Sequence, residues 1–202
     1  MDSNVIRSKL HIVAGVVIVL VVTVWLIYAF APRQLDRESS AAYKRGKGYF
    51  KKGDYFSASL AFSEVVTNHP EFFPAHYNLG CAYDGSGNVA QAIKSYKRAL
   101  ELNPRYLPAL FNLGNVYEVT GNYQEAIDCY RRVLELEPYH RDAFFNLIHD
   151  YIRIGQVENA RVYLESGRMW FEDVSDLDAL DKLEEMVDDK ELELMRREDQ
   201  QE

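Results

Sequence analysis

Residues 112–138 read NLGNVYEVTGNYQEAIDCYRRVLELEP, and residues 78–104, thirty-four positions earlier, read NLGCAYDGSGNVAQAIKSYKRALELNP. Fourteen of the 27 aligned positions are identical, and most of the others exchange like for like. A period of this length, kept without a gap, marks an array in which every copy is one supersecondary unit. Extended both ways, it gives four contiguous copies beginning at Ser39, Phe73, Leu107 and Arg141. Position 8 of the copies is Gly46, Gly80, Gly114 and Ile148, and position 11 is Tyr49, Tyr83, Tyr117 and Tyr151. Position 15 is Gly53, Gly87, Gly121 and Gly155, and position 20 is Ala58, Ala92, Ala126 and Ala160. Position 24 is Phe62, Tyr96, Tyr130 and Leu164; position 32 is Pro70, Pro104, Pro138 and Glu172.

Each half-copy is long enough for about three helical turns; Pro108–Thr120 and Tyr123–Leu136 are examples. A glycine at position 15 ends the first helix where positive φ is needed, and a proline at position 32 stops the second. Gly at position 8 and Ala at position 20 remove bulk where paired helices cross, and Leu79, Leu113, Leu147, Leu100 and Leu134 supply the apolar stripe. One such pair cannot bury its apolar face alone, so neighbours must stack. The pattern resembles the tetratricopeptide repeat (TPR) family over residues 39–174, about two-thirds of the chain. The resemblance implies an all-α fold, a right-handed superhelix of four helix hairpins (39–72, 73–106, 107–140 and 141–174). The last copy departs most, as terminal repeats do. After it Ser175 is a candidate N-cap, and Leu177, Leu180, Leu183, Val187 and Leu194 predict a capping helix from 176 to about 196 within the acidic segment 175–202.

In the TPR family the first helix of each repeat lines a concave groove, with positions 2, 5, 6, 9, 12 and 13 facing it. Carried over residue by residue, the resemblance implies a peptide-binding set. Tyr43, Tyr77, Phe111 and Phe145 fall at position 5, and Lys44, Asn78, Asn112 and Asn146 at position 6. Lys47, Asn115 and His149, with Cys81, fall at position 9, and Lys51 and Arg153 at position 13. Evenly spaced amides can pair with the N–H and C=O of an extended peptide regardless of its side chains. Tyrosine and asparagine at these positions are also common in TPR consensus sequences, so a purely structural role is the competing reading. A TPR subtype clamps the C-terminal carboxylates of chaperones. Lys47 here stands where that clamp has asparagine, Tyr43 where it has lysine, and Pro108 and Asn112 where its later basic residues fall, which argues against that clamp. Lys44, Lys47 and Lys51 could instead receive an acidic segment or rest against anionic headgroups.

Charge supports a protein partner over nucleic acid. The formal net charge is −8, but residues 175–202 alone carry twelve acidic and four basic side chains. The body of the array is thus close to neutral and lacks the basic face that nucleic acid needs. Cys81 and Cys129 are too few for a disulfide framework or a CxxC site. His11, His69, His76, His140 and His149 have no metal-ligand spacing, and no GxSxG or GxxxxGK[ST] motif occurs. No enzyme activity, cofactor or metal is expected.

Leu10 to Ala31 reads LHIVAGVVIVLVVTVWLIYAFA, 22 residues without an Asp, Glu, Lys or Arg. As a helix it would span roughly 30 Å, the thickness of a bilayer core. Trp25 and Tyr28 lie near one edge, where aromatic belts sit. Ala29-Phe30-Ala31 fits a signal-peptide cleavage pattern, but the apolar run is too long for that and Pro32 would follow the cut. An uncleaved transmembrane helix (10–31), between a short tail (1–9) and a juxtamembrane linker (32–38), is the preferred reading. Arg33, Arg37, Lys44, Arg45 and Lys47 tally toward a cytoplasmic body. The last three belong to a folding repeat, and without them the two flanks balance, so the side stays open. The sequence thus predicts a membrane-tethered adaptor or scaffold binding a peptide or protein partner in an assembly or secretion process. The alternative is a structural subunit or self-associating scaffold that uses its convex face or C-terminal helix.

Overall fold

The computed structural model describes residues 35–198. Its contacts divide the chain between Asp36 and Arg37, and the unit described here is the second. The predicted tail (1–9), span (10–31) and first three residues of the linker (32–34) lie outside the described residues. Among the described residues no helix is long and apolar enough to cross a membrane.

Nine helices follow one another in the described residues, with no strand among them. They are α1 (Arg37–Lys51), α2 (Tyr55–Asn68), α3 (Phe73–Gly85), α4 (Val89–Leu102), α5 (Leu107–Val119), α6 (Tyr123–Leu136), α7 (Arg141–Arg153), α8 (Val157–Trp170) and α9 (Val174–Glu198). Each helix packs chiefly on its sequence neighbours, which makes the unit an all-α helical-repeat solenoid. The helix α1 starts two residues before Ser39, so it takes in Arg37 and Glu38 of the predicted linker.

Local chemistry sets the boundaries. Gly53, Gly87, Gly121 and Gly155 have φ of +77°, +74°, +78° and +77°, the left-handed conformation that ends a helix and turns the chain. His69, Asn103 and Glu137, each followed by proline, have left the helical region at φ −131°, −139° and −134°. The proline ring disfavours an α conformation in the residue before it, so these helices stop there. Phe171 ends α8 in extended backbone without a proline behind it, and Asp173 then starts α9. Asp173 Oδ1 accepts from the Ser175 backbone N–H at 2.8 Å and from its hydroxyl at 2.7 Å. The N-cap is therefore Asp173, and Ser175 is its donor rather than the cap.

Packing explains the repeated small residues. A Cβ built on Gly46, Gly80 or Gly114 would fall 2.6, 2.6 or 2.7 Å from the ring of Phe62, Tyr96 or Tyr130 of the same repeat. Ala58, Ala92, Ala126 and Ala160 are fully buried opposite. Burying a ring such as Phe62 contributes about 1.5–3 kcal/mol, so position 8 must stay empty to seat it. In the fourth repeat the ring shrinks to Leu164, and Ile148 fills the space from the other side; both are buried.

The end is sealed by α9. Leu180, Leu183 and Val187 are buried against the last repeat. Arg161 reaches Asp188 and Glu191 at 2.7 and 2.6 Å, and Arg168 pairs with Asp181 and Glu184. Arg141 pairs with Asp176. Much of the acidic charge of α9 therefore faces arginines of the fourth repeat. Exposed pairs of this kind contribute about 0–1 kcal/mol each, so the apolar seam holds the helix down and the arginines set its register.

Candidate peptide-binding face

Alternate helices α1, α3, α5 and α7 carry the residues singled out at positions 5, 6 and 9, and repeat stacking brings consecutive sets together. Asn78 Nδ2 donates to the Tyr43 hydroxyl at 2.6 Å and to the Pro74 carbonyl at 2.8 Å. One repeat on, Asn112 Nδ2 donates to the Tyr77 hydroxyl at 3.2 Å and lies 3.6 Å from Cys81 Sγ. In the third junction the partner changes. Position 5 is now Phe111, which has no hydroxyl, and Asn146 Nδ2 turns to Asn115 Oδ1 at 3.4 Å and the Tyr130 hydroxyl at 3.2 Å. All three asparagine NH2 groups are thus engaged across repeat junctions. No partner is recorded for the Oδ1 atoms of Asn78 and Asn112 among the described residues.

The aromatic residues are also shared between stacking and surface. Tyr43 packs edge-on against Phe72 at 5.5 Å and Tyr77 against Tyr106 at 5.1 Å, while Phe111 meets His140 at a tilt at 4.9 Å. Phe145 lies 5.5 Å from Phe171 and under the Arg141 guanidinium at 5.0 Å. Each of these four rings is half-buried, so each keeps one edge in solvent. Burial raises the pKa of Tyr43 and Tyr77, which keeps their hydroxyls neutral. Lys44, Lys47 and Lys51 are exposed on α1, with the Lys47 ammonium 5.9 Å from the Tyr43 ring. Arg153 is exposed at the end of α7.

One group that sequence reasoning passed over lies at the third junction. Asp150 is 0% exposed, and neither carboxylate oxygen has a hydrogen-bond partner. One ligand atom each from Asp150, His149 and Glu118 lie within 4.8 Å of one another. Glu118 Oε1 is 3.7 Å from His149 Nδ1, while its Oε2 accepts from the Tyr130 hydroxyl at 2.9 Å. Burial, and then the charge of Glu118, push the Asp150 carboxyl up to about 7; burial pushes His149 down. The signal was available in the repeat itself. Position 10 reads Gly48, Ala82, Val116 and then Asp150.

Side chains of each repeat that pair with the repeat before it define a helical-repeat protein built by nearest-neighbour stacking. Family profiles described as tetratricopeptide repeat match residues 40–71 and 77–141. The first TPR of Spaghetti (RPAP3), bound to the HSP90 peptide SRMEEVD, is 26% identical at TM-score 0.55, covering 58% of this chain and 96% of that one. The second TPR domain of human RPAP3, in complex with the HSP70 peptide SGPTIEEVD, is 25% identical at TM-score 0.53, covering 56% and 94%. A tetratricopeptide repeat protein of Parabacteroides merdae shares the fold at TM-score 0.68 and 20% identity, over 76% of this chain and 61% of that one. No curated protein sequence matches significantly. No enzyme family is indicated by these matches.

Proposed function

We propose that this chain is a membrane-tethered adaptor whose four hairpins wind into a right-handed superhelix and hold an extended peptide of a protein partner along α1, α3, α5 and α7. The observation that carries the reading is the row of junction asparagines. Each Nδ2 is committed to a neighbouring repeat, which orients the amide, and the Oδ1 atoms of Asn78 and Asn112 are left as fixed acceptors for backbone N–H groups. Half-buried aromatic edges beside them offer contact area at low entropic cost. The exposed Lys44, Lys47 and Lys51 favour an acidic stretch of the peptide at the α1 end. Two structural neighbours hold peptides that both end in EEVD. The clamp residues differ here, so the acidic stretch would be read by this lysine run and not by that clamp. Residues 10–31 supply the anchor, which raises the local concentration of the groove for membrane-bound partners. A role in membrane-associated assembly or secretion fits such a part.

The test places a photo-crosslinking amino acid at Lys47, Asn115, Leu192 or Met195 of the full-length chain in its native membranes. The adaptor reading expects partner adducts from Lys47 and Asn115, and their loss when Asn78 and Asn112 are both changed to alanine. The second reading is a structural subunit or self-associating scaffold, favoured by Leu192 and Met195, which are 50% and 51% exposed one turn apart on α9. Adducts from those two sites alone would establish it and overturn the adaptor. Carbonate extraction with and without residues 10–31 tests the anchor separately, since only the complete chain should stay in the membrane pellet.

A further inference from the structure

We propose that Glu118, His149 and Asp150 form a binding site for a divalent first-row transition cation, with Zn2+ as the best-suited probe, at the junction of the third and fourth repeats. The inference goes beyond peptide binding and does not rest on it. Three observations converge. The three groups supply two carboxylates and one imidazole, a donor set suited to such a cation. Their ligand atoms lie within 4.8 Å of one another. Ligands at about 2.0–2.2 Å from one metal sit roughly 3–4 Å apart, and Glu118 Oε1 and His149 Nδ1 are already at 3.7 Å. Finally, Asp150 is wholly buried with both oxygens unpartnered, aimed into this cluster.

A buried carboxylate without donors is costly, and nature covers such groups by pairing or by metal coordination. No cation from this chain performs that task among the described residues. Arg153, whose charge acts on Asp150, is exposed and makes no ion pair with it there. A divalent ion would neutralise the two carboxylates while leaving the imidazole neutral. An outer layer is also in place. The Tyr130 hydroxyl holds Glu118 Oε2 and is itself engaged by Asn115 and Asn146, so Oε1 is left toward His149. Entry is open, because the Glu118 and His149 side chains are 25% and 29% exposed. The fourth coordination position would face solvent, where water or a partner's side chain can complete the site.

Isothermal titration of ZnCl2 into the full-length, tag-free chain in detergent tests this. One equivalent should bind and raise the melting temperature, and Asp150→Asn and His149→Ala should each weaken the affinity by about 10–100-fold or more, as metal-site changes do. Asp150→Asn keeps the volume and removes a buried charge, so without zinc it should melt no lower than the parent. MgCl2 should bind far more weakly, because magnesium prefers oxygen ligands and retains its waters. Equal zinc uptake by parent and both variants, no saturable uptake by the parent, or magnesium binding as tight as zinc would each overturn the assignment.

Discussion

The second and third repeat junctions are built from the same positions, yet one is a neutral seam and the other an acidic cluster. Between repeats two and three, Asn112 meets Tyr77 and Cys81, position 10 is the buried Ala82 and Val116, and nothing charged is enclosed. Between repeats three and four, Asn146 meets Asn115 and Tyr130, and position 10 on the incoming helix is Asp150. The Tyr96 hydroxyl is buried against Cys81 with no partner at good hydrogen-bond geometry, whereas its counterpart on Tyr130 is shared between Asn115 and Glu118. Stacking needs only shape, and the neutral seam shows that shape suffices. Polar chemistry at the later junction is an addition to a scaffold that did not require it.

Several substitutions break or sharpen that contrast. The largest effect is expected from Val116→Asp, which writes the Asp150 character into the neutral seam, where Val116 is 4% exposed. An uncompensated buried charge there should cost about 3–5 kcal/mol in urea unfolding followed by circular dichroism; a cost near zero would show that the seam is open to water. Tyr130→Phe removes a hydroxyl with three partners and should destabilise by about 1–3 kcal/mol. Tyr96→Phe removes one with none and should be neutral or stabilising, so equal effects at the two sites would erase the difference. Gly121→Ala should cost about 1 kcal/mol, because φ of +78° is strained for a residue with a Cβ. The smallest effect is chemical. Burial pushes the Cys129 thiol up to about 11, so its alkylation near neutral pH should be slower than that of a free thiol and should accelerate as pH rises toward that value.

The periodic part of the fold was legible because each signature residue answers a local or adjacent demand. Gly80 is needed by the Tyr96 ring one helix away, and Pro104 acts on Asn103 beside it. The α9 cap was misplaced by two residues because aspartate and serine are about equally good N-caps, and only geometry shows that Asp173 accepts from Ser175. The asparagine row could be placed on one face from its spacing. That the NH2 groups of Asn78 and Asn112 point at hydroxyls 35 residues upstream could not, although the change from Tyr43 and Tyr77 to Phe111 removes the hydroxyl that Asn146 would otherwise meet. Asp150 stayed hidden because linear motif spacing cannot join Glu118 to His149 across an intervening helix and two turns.

The helix α9 has one more implication. It occupies the flank of the fourth hairpin on which a fifth would otherwise sit, with Leu180 and Val187 filling that seat. A second molecule therefore has no berth there, and copies cannot string together tip to tail into a filament from that side. Any pairing of copies through that seat would first have to displace α9.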